Sequence, residues 1–324
     1  MATLKEIFIE RAQAKCPTII FPEGENETVA QSAVKSAEMG ICKSVLVGDA
    51  AAIKAIVGDA DVTIVDIDAD KDAVLELAQI YADREDFPVE VAADMLSNKI
   101  NFAAMYVAAG KADGIVCGHT VPTAEAVLAV QEYIGLAEGA AMPNAYVIVE
   151  PEHFEGGEDN RLIYADPVMV VQPSSEELAS IAINTANSAS KLLGWEPRIA
   201  FLSYSTKGSG GSPDAEKVRR AVAIAREARP DLLMDGELQL DSAIVPKVSL
   251  AKIKGENVLK GTANILVFPD CDAGNLTVKA TSMFGNGGGT FAVMCGFAKP
   301  FGEISRRSDV DNMVFSTAVT AAQC

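Results

Sequence analysis

Short apolar segments alternate with helical patterns along almost the whole chain, and this alternation constrains the fold most strongly. The apolar segments lack the polar alternation of half-exposed strands. Strands without this alternation are typical of parallel sheets covered by helices on both faces. The predicted strands are 18–21, 44–47, 62–65, 114–117, 146–149, 168–171, 199–202, 232–234, 265–268 and 291–295. The sequence therefore predicts an α/β protein that binds ligands at the carboxyl ends of its strands.

The length of 324 residues is enough for more than one hydrophobic core, so two domains are expected. A small-residue stretch at Gly139–Asn144 indicates one boundary, and a second is indicated near Gly296–Gly302, where Lys299-Pro300 breaks the pattern after a strand. The first α/β domain is predicted to comprise 1–143 plus 297–324, and the second α/β domain 144–296.

Composition and charge exclude several classes of partner. The formal net charge is −18, so neither nucleic acid nor an anionic membrane surface is expected to bind, because both need a cationic face. No apolar stretch is long enough to span a bilayer, and the first residues lack the apolar core of a signal peptide. The six cysteines include no CxxC pair and indicate reduced thiols in a cytoplasmic protein. With only His119 and His153, a His-rich metal site is excluded, and no metal is assigned.

A loop rich in hydroxyl groups and glycine follows the predicted strand 199–202. It ends at Ser212, a suitable helix cap, and at Pro213, which suits the first helical position. Free N–H groups at a helix start favour negative charge. A flexible turn is the common alternative for such loops, but the cap anchors this one. We therefore predict an anion-binding loop formed by Ser203, Ser205, Thr206, Lys207, Gly208 and Ser209.

A second cluster precedes the C-terminal helical pattern. Ser305 stands there beside the adjacent arginines Arg306 and Arg307. The guanidinium fork suits phosphate, and a helix start adds N–H donors. The alternative is an ordinary helix start with Ser308 as the cap and Asp311 three residues on. Both interpretations can hold together, because a cap and an anion site use the same geometry.

Other motifs are less specific. His119 and Thr123 follow the predicted strand 114–117, where a loop histidine is more often structural than a base. Asp270 and Asp272 could bind Mg²⁺, but helix capping is favoured. The glycine-rich segment 285–289 does not fit a dinucleotide fingerprint, because no strand precedes it.

Several segments match, in order and spacing, those of one enzyme family. They are 21–25, 112–116, 202–206, 229–236, 265–270, 274–275, 299–300 and 305–306. On these segments the chain resembles the phosphate acetyltransferases (phosphotransacetylases), within the phosphate acyltransferases. The resemblance implies two α/β/α domains with largely parallel sheets, similar to isocitrate and isopropylmalate dehydrogenases, with a cleft between the domains. It also implies a homodimer that moves an acetyl or other short acyl group between an acyl phosphate and coenzyme A.

The same resemblance assigns roles to individual residues. Ser305 and Arg306 match a catalytic serine and arginine, and coenzyme A is a co-substrate, so no permanently bound cofactor is implied. The place of the family's catalytic aspartate holds Asn312, which cannot act as a base near neutral pH. Asp311 or Asp309 is then the candidate substitute. Lys207 and Arg307 are candidates to replace family arginines.

Two of those arginine positions hold Leu128 and Thr28 in this chain. Together with Asn312, they keep open a non-catalytic protein that binds coenzyme A or a phosphorylated metabolite on the same fold. A metal-dependent decarboxylating dehydrogenase is a weaker third hypothesis, because the sequence lacks a recognisable acid cluster and nicotinamide site.

Overall fold

The computed structural model describes residues 3–285 and 292–324 and divides the chain into two compact units. One unit comprises the residues up to Ala137 together with Phe297–Cys324, and the other is Glu138–Gly296. The first boundary thus lies upstream of the predicted position between 143 and 144. The reason is local packing: the Ala141 N–H donates to Ser180 Oγ (3.3 Å), and this ties the small-residue stretch to the second unit.

Within the described residues the helices and strands are numbered in chain order. The strands are β1 (Thr18–Phe21), β2 (Lys43–Val47), β3 (Thr63–Val65), β4 (Gly114–Cys117), β5 (Asn144–Val149), β6 (Leu162–Ala165), β7 (Arg198–Leu202), β8 (Leu233–Leu238), β9 (Ile265–Val267), β10 (Ala292–Cys295) and β11 (Phe301–Glu303). The helices are α1 (Leu4–Lys15), α2 (Glu27–Glu38), α3 (Ala50–Val57), α4 (Lys71–Glu85), α5 (Val89–Met95), α6 (Lys99–Ala108), α7 (Thr123–Tyr133), α8 (Ser175–Leu193), α9 (Pro213–Ala228), α10 (Leu240–Ile244), α11 (Pro246–Lys252), α12 (Cys271–Phe284) and α13 (Val310–Gln323).

The first unit contains a five-stranded sheet in the order β11-β4-β1-β2-β3. Every neighbouring pair is parallel, as the uninterrupted apolar strands predict. β11 comes from the C-terminal part of the chain and pairs with β4, while α13 packs against α1 and α2. The carboxyl ends of β1, β4 and β11 therefore meet at one edge of the sheet.

The second unit contains a six-stranded sheet in the order β10-β5-β6-β9-β7-β8. β6, β9, β7 and β8 pair in parallel, but β5 is antiparallel to both β6 and β10. The prediction of parallel strands is therefore wrong for β5 and β10. Because both faces of the sheet are covered, an antiparallel strand here has the same apolar pattern as a parallel one.

The predicted strand 168–171 is wrong. The buried Asp166 side chain accepts hydrogen bonds from the N–H groups of Val168 (2.7 Å) and Met169 (2.9 Å), which bends the backbone before a strand can form. Burial raises the pKa of this carboxyl, against the effect of its backbone hydrogen bonds. The short strands β6 and β11 were not predicted. Residue 291 and the glycine-rich segment after Gly285 lie outside the described residues.

Helix ends follow the predicted capping residues closely. Ser174 caps α8 in a capping box with Glu177, and Gly194 ends the helix in the left-handed region at φ 74°. Ser212 caps α9 with Pro213 as its first residue, and Asp270 caps α12. These predictions are confirmed. At α13, however, the cap is Asp309 and not Ser308.

Candidate active site

A carboxylate holds the turn that follows β4. Glu23, just beyond β1, accepts hydrogen bonds from the N–H groups of Gly118 (2.8 Å) and His119 (3.1 Å) through Oε2. Its Oε1 accepts from the N–H and the hydroxyl group of Thr120. Gly118 has φ 109°, and a Cβ atom there would lie 3.1 Å from the Ile304 carbonyl oxygen. The turn is thus fixed from two sides, by Glu23 and by the chain after β11.

The turn after β11 lies directly against this one. The Ile304 N–H donates to the Cys117 carbonyl (3.0 Å), and the Ser308 N–H closes the turn on the Ser305 carbonyl (2.9 Å). His119 Nδ1 lies 3.2 Å from the same Ser305 carbonyl oxygen. Two clusters separated by 186 residues in the sequence therefore form one structure at the edge of the sheet.

Thr123, at the start of α7, also belongs to this edge. Its hydroxyl donates to Glu303 Oε1 at 2.6 Å. The Ser305 hydroxyl oxygen accepts the Arg307 N–H at 3.3 Å. Arg306 and Arg307 are exposed, and within residues 3–285 and 292–324 neither guanidinium group has a hydrogen-bond or ion-pair partner. Two guanidinium groups without a partner among the described residues therefore follow Ser305 directly in the chain.

The start of α13 places the two candidate substitutes for the missing aspartate. Asp309 is the helix cap and accepts the Asn312 N–H at 2.8 Å, while the Asn312 side chain is exposed. Asp311 pairs with Lys35 of α2 at 2.6 Å. This hydrogen bond lowers the pKa of the Asp311 carboxyl, which makes Asp311 a weaker base.

The hydroxyl-rich loop of the second unit surrounds a carboxylate of the chain itself. Glu237 of β8 is 1% exposed, and its Oε1 accepts from Ser205 Oγ (2.6 Å), the Gly208 N–H (2.8 Å) and Arg219 Nη1 (3.1 Å). Burial alone would raise the pKa of this carboxyl, but the hydrogen bonds and the Arg219 charge outweigh it, so the pKa is lowered. Two of the donors that the sequence assigns to an anion, the Ser205 hydroxyl and the Gly208 N–H, are thus occupied by Glu237.

A second buried carboxylate binds the lysine of the same loop. Asp235, two residues before Glu237 on β8, accepts from Lys207 Nζ and, at 3.0 Å, from Arg226 Nη2. Its other oxygen, Oδ2, has no partner among the described residues. Lys207 is therefore committed to a buried ion pair within the unit.

Three other loop residues complete the framework. Thr206 bonds to Gln239 through its hydroxyl group, and the Thr206 N–H donates to Ser209 Oγ at 3.0 Å. The Ser203 hydroxyl oxygen accepts the Ser205 N–H at 3.2 Å. These hydrogen bonds hold the loop, in which Tyr204 and Ser209 are exposed and Ser203 is half-buried.

Comparison with known families identifies the family to which a chain with these two arrangements belongs. The family described as phosphate acetyl/butaryl transferase matches residues 3–321, nearly the full length of the chain.

The chain belongs to the phosphate acetyl/butaryl transferase family.

Similarity to members of the family extends over both units. The phosphate acetyltransferase of Acetivibrio thermocellus is 34% identical over 330 aligned residues, which cover 100% of this chain and 98% of that protein. The structure of EutD phosphotransacetylase from Staphylococcus aureus matches with a TM-score of 0.88 at 29% identity, and that of a phosphotransacetylase from Streptococcus pyogenes with 0.86 at 32%. Each covers 99% of both chains. The predicted family and the predicted α/β class are confirmed.

The site residues found only in the structure are carboxylates. Glu23, Asp235 and Glu237 organise the loops, yet in the sequence they have the same appearance as solvent-facing acids near strand ends. The one sequence signal for a role of these three acids is their position next to strands that are predicted to be buried. Among the described residues no cluster of three or more His, Cys, Asp or Glu side chains is arranged to hold a metal ion. No helix in the described part of the chain is long and apolar enough to cross a membrane.

Proposed function

We propose that this protein transfers an acetyl or other short acyl group between an acyl phosphate and coenzyme A. The observation that carries the proposal is the family match over residues 3–321, together with 34% identity to a phosphate acetyltransferase across the whole chain. The thiol of coenzyme A attacks the acyl carbon, a C–S bond forms, and the C–O bond to phosphate breaks. The reaction involves no net oxidation or reduction, so it needs no redox cofactor, and we propose no permanently bound group.

The arginines beside Ser305 are the proposed phosphate-binding groups. In a chain of net charge −18, an anionic substrate needs local positive charge, and the Arg306 and Arg307 guanidinium groups are exposed and unpaired within the described residues. Guanidinium binds phosphate through two parallel hydrogen bonds. We assign the phosphate contact to Arg306, with Arg307 as a second cation, and the orientation of the reacting groups to the Ser305 hydroxyl.

The finer assignments follow from the same proposal. We propose a homodimer in the cytoplasm that takes small phosphorylated substrates and neither nucleic acid nor membrane. In this proposal the Ser203–Ser209 loop supplies the hydroxyl groups of Ser203 and Ser209 to substrate, while Glu237 and Asp235 hold its shape.

The test is thioester formation from coenzyme A with acetyl, propionyl or butyryl phosphate. We expect turnover with at least one of them by the wild-type protein. Arg306→Ala removes one or more charged hydrogen bonds of about 1.5–3 kcal/mol, so kcat/KM should fall about 10- to 150-fold. Arg220→Ala is the matched control, because Arg220 is an exposed arginine of α9 that pairs with Glu176 and should leave the rate unchanged.

Two outcomes would contradict this assignment. Equal rates for the Arg306→Ala and Arg220→Ala variants would reject the role of Arg306. Binding of coenzyme A by the folded wild-type protein without turnover of any acyl phosphate would reject the enzymatic function and leave the non-catalytic alternative.

A further inference from the structure

We propose that His119 is the general base that removes the proton from the attacking thiol. The inference rests on the proposed function, since it names the group that makes the thiol reactive at that same site. His119 is half-buried on the turn after β4, and its Nδ1 lies 3.2 Å from the carbonyl oxygen of Ser305. It is therefore attached to the turn that carries both Ser305 and Arg306.

The Ser305 contact determines which ring nitrogen of His119 can accept a proton. A carbonyl oxygen can only accept a hydrogen bond, so the neutral imidazole donates from Nδ1–H. Its lone pair is then on Nε2, which has no hydrogen-bond partner among residues 3–285 and 292–324. A histidine held through one nitrogen, with the other nitrogen free, has the arrangement that proton transfer requires.

The backbone of His119 is as firmly fixed as its ring. The His119 N–H donates to Glu23, and the preceding Gly118 is held by the same carboxylate and by contact with Ile304. General-base catalysis depends on a positioned base, because the proton must move within hydrogen-bonding distance. Fixation of both the main chain and Nδ1 provides that position without involving Nε2.

Other candidate bases near Ser305 are occupied or unsuitable. Asn312 carries an amide, which does not accept a proton at neutral pH. Asp311 is paired with Lys35, and Asp309 accepts the Asn312 N–H as the cap of α13. Glu23 accepts four hydrogen bonds from the turn after β4. Glu303 accepts the Thr123 hydroxyl. Among the described residues, His119 is therefore the titratable side chain that both contacts the Ser305 carbonyl and keeps a lone pair without a partner.

The proposed step moves one proton and exchanges a C–O bond for a C–S bond. The coenzyme A thiol proton moves to His119 Nε2, and the sulfur forms its bond to the acyl carbon of the acyl phosphate. The C–O bond then breaks, and phosphate leaves with the electron pair of that bond. The imidazolium returns its proton to the departing phosphate or to water, which restores neutral His119. In the reverse direction the same nitrogen donates the proton to the leaving thiolate.

Charged groups of both signs lie on the elements packed against this turn. The test therefore relies on the loss of an acidic limb in the pH profile and not on the position of its midpoint. These groups are Glu23 after β1, Glu303 on β11, Glu125 on α7, and Arg306 and Arg307 after β11.

The experiment compares three variants across about pH 5 to 9. His119→Gln removes the base, and His119→Asn also removes it but can keep an N–H donor near the Ser305 carbonyl. His153→Gln changes the only other histidine, which is exposed in the second unit and is the matched control. For the wild type and the control, we expect kcat/KM for coenzyme A to fall below an acidic midpoint, because a protonated imidazole cannot act as a base.

Both His119 variants should lose about 10²- to 10⁴-fold in kcat/KM at neutral pH and lose the acidic limb, with partial rescue by free imidazole. Their thermal midpoints should stay close to that of the control. A His119→Asn variant with wild-type rate would show that His119 only positions Ser305 and would overturn the proposal. An unchanged acidic limb in both variants would overturn it as well. A wild-type protein without any turnover would reject the proposed function first, and this inference with it.

Discussion

Replacing Glu237 by glutamine should destabilise the protein because one buried carboxylate holds three donors. Glutamine keeps the size and one acceptor oxygen but loses the charge. A charged hydrogen bond contributes about 1.5–3 kcal/mol against about 1 kcal/mol for a neutral one. Arg219 is 31% exposed, so its share is reduced by solvent screening. We expect a loss of about 2–3 kcal/mol.

Thermal unfolding monitored by circular dichroism measures this loss. At about 2–4 °C per kcal/mol for a domain of this size, Glu237→Gln should lower Tm by about 4–12 °C. Glu216→Gln is the matched control, because Glu216 binds the same Arg219 from an exposed position and does not touch the loop. Its Tm should change by less than about 2 °C. Equal shifts in the two variants would refute the claim that Glu237 organises the loop.

The pH dependence supplies an independent check. The pKa of Glu237 is lowered in the folded protein, so its contribution is complete above the unfolded value of about 4.3 and is lost as pH falls through the folded value. The Tm difference between wild type and Glu237→Gln should therefore be full at neutral pH and shrink below about pH 4. A difference that stayed constant down to pH 3 would contradict a role for the charge.

Two further expectations concern the backbone and the thiols. Gly261→Ala should cost about 1–3 kcal/mol, because Gly261 has φ 79° and a Cβ atom would lie 2.6 Å from the Pro246 backbone; Gly255→Ala, in open space, should change Tm little. Burial raises the pKa of the Cys42 thiol to about 12, and raises those of the buried Cys117 and Cys295 as well. In the folded protein no more than three of the six thiols should therefore react with a disulfide reagent at pH 8, and all six after denaturation; fast reaction of four or more would contradict this burial.

The sequence predicted the parts of the structure that depend on local chemistry. The caps at Ser174, Ser212 and Asp270 involve hydrogen bonds within three residues, so composition alone indicates them. Strand direction depends on distant pairing, and so the antiparallel placement of β5 could not be read from its apolar residues. At 168–171, a single buried carboxylate overrode the strand propensity of three valines and a methionine.

In the candidate site, too, the sequence predicts what depends on local motifs and misses what depends on distant pairing. The positions of Ser305 and Arg306 follow from their motif, and that of His119 follows from its place after a predicted strand. The partners of the loop donors did not follow, because a hydroxyl-rich loop looks equally suited to an external phosphate and to an internal carboxylate. Glu237 and Asp235 lie about 30 residues further along the chain, and only the parallel pairing of β7 with β8 brings them to the loop.

The pairing of β11 with β4 has a consequence for biosynthesis. The ribosome synthesises β4 and the His119 turn early. The strand β11, which pairs with β4, is synthesised only after residues 138–296 have been translated. At about 5–20 residues per second, the nascent first sheet waits roughly ten to thirty seconds with one side of β4 uncovered. Premature termination in that interval yields a polypeptide with His119 but without Ser305. Such a fragment has an unpaired edge on β4 and lacks the turn that contacts His119, so it does not carry the assembled site.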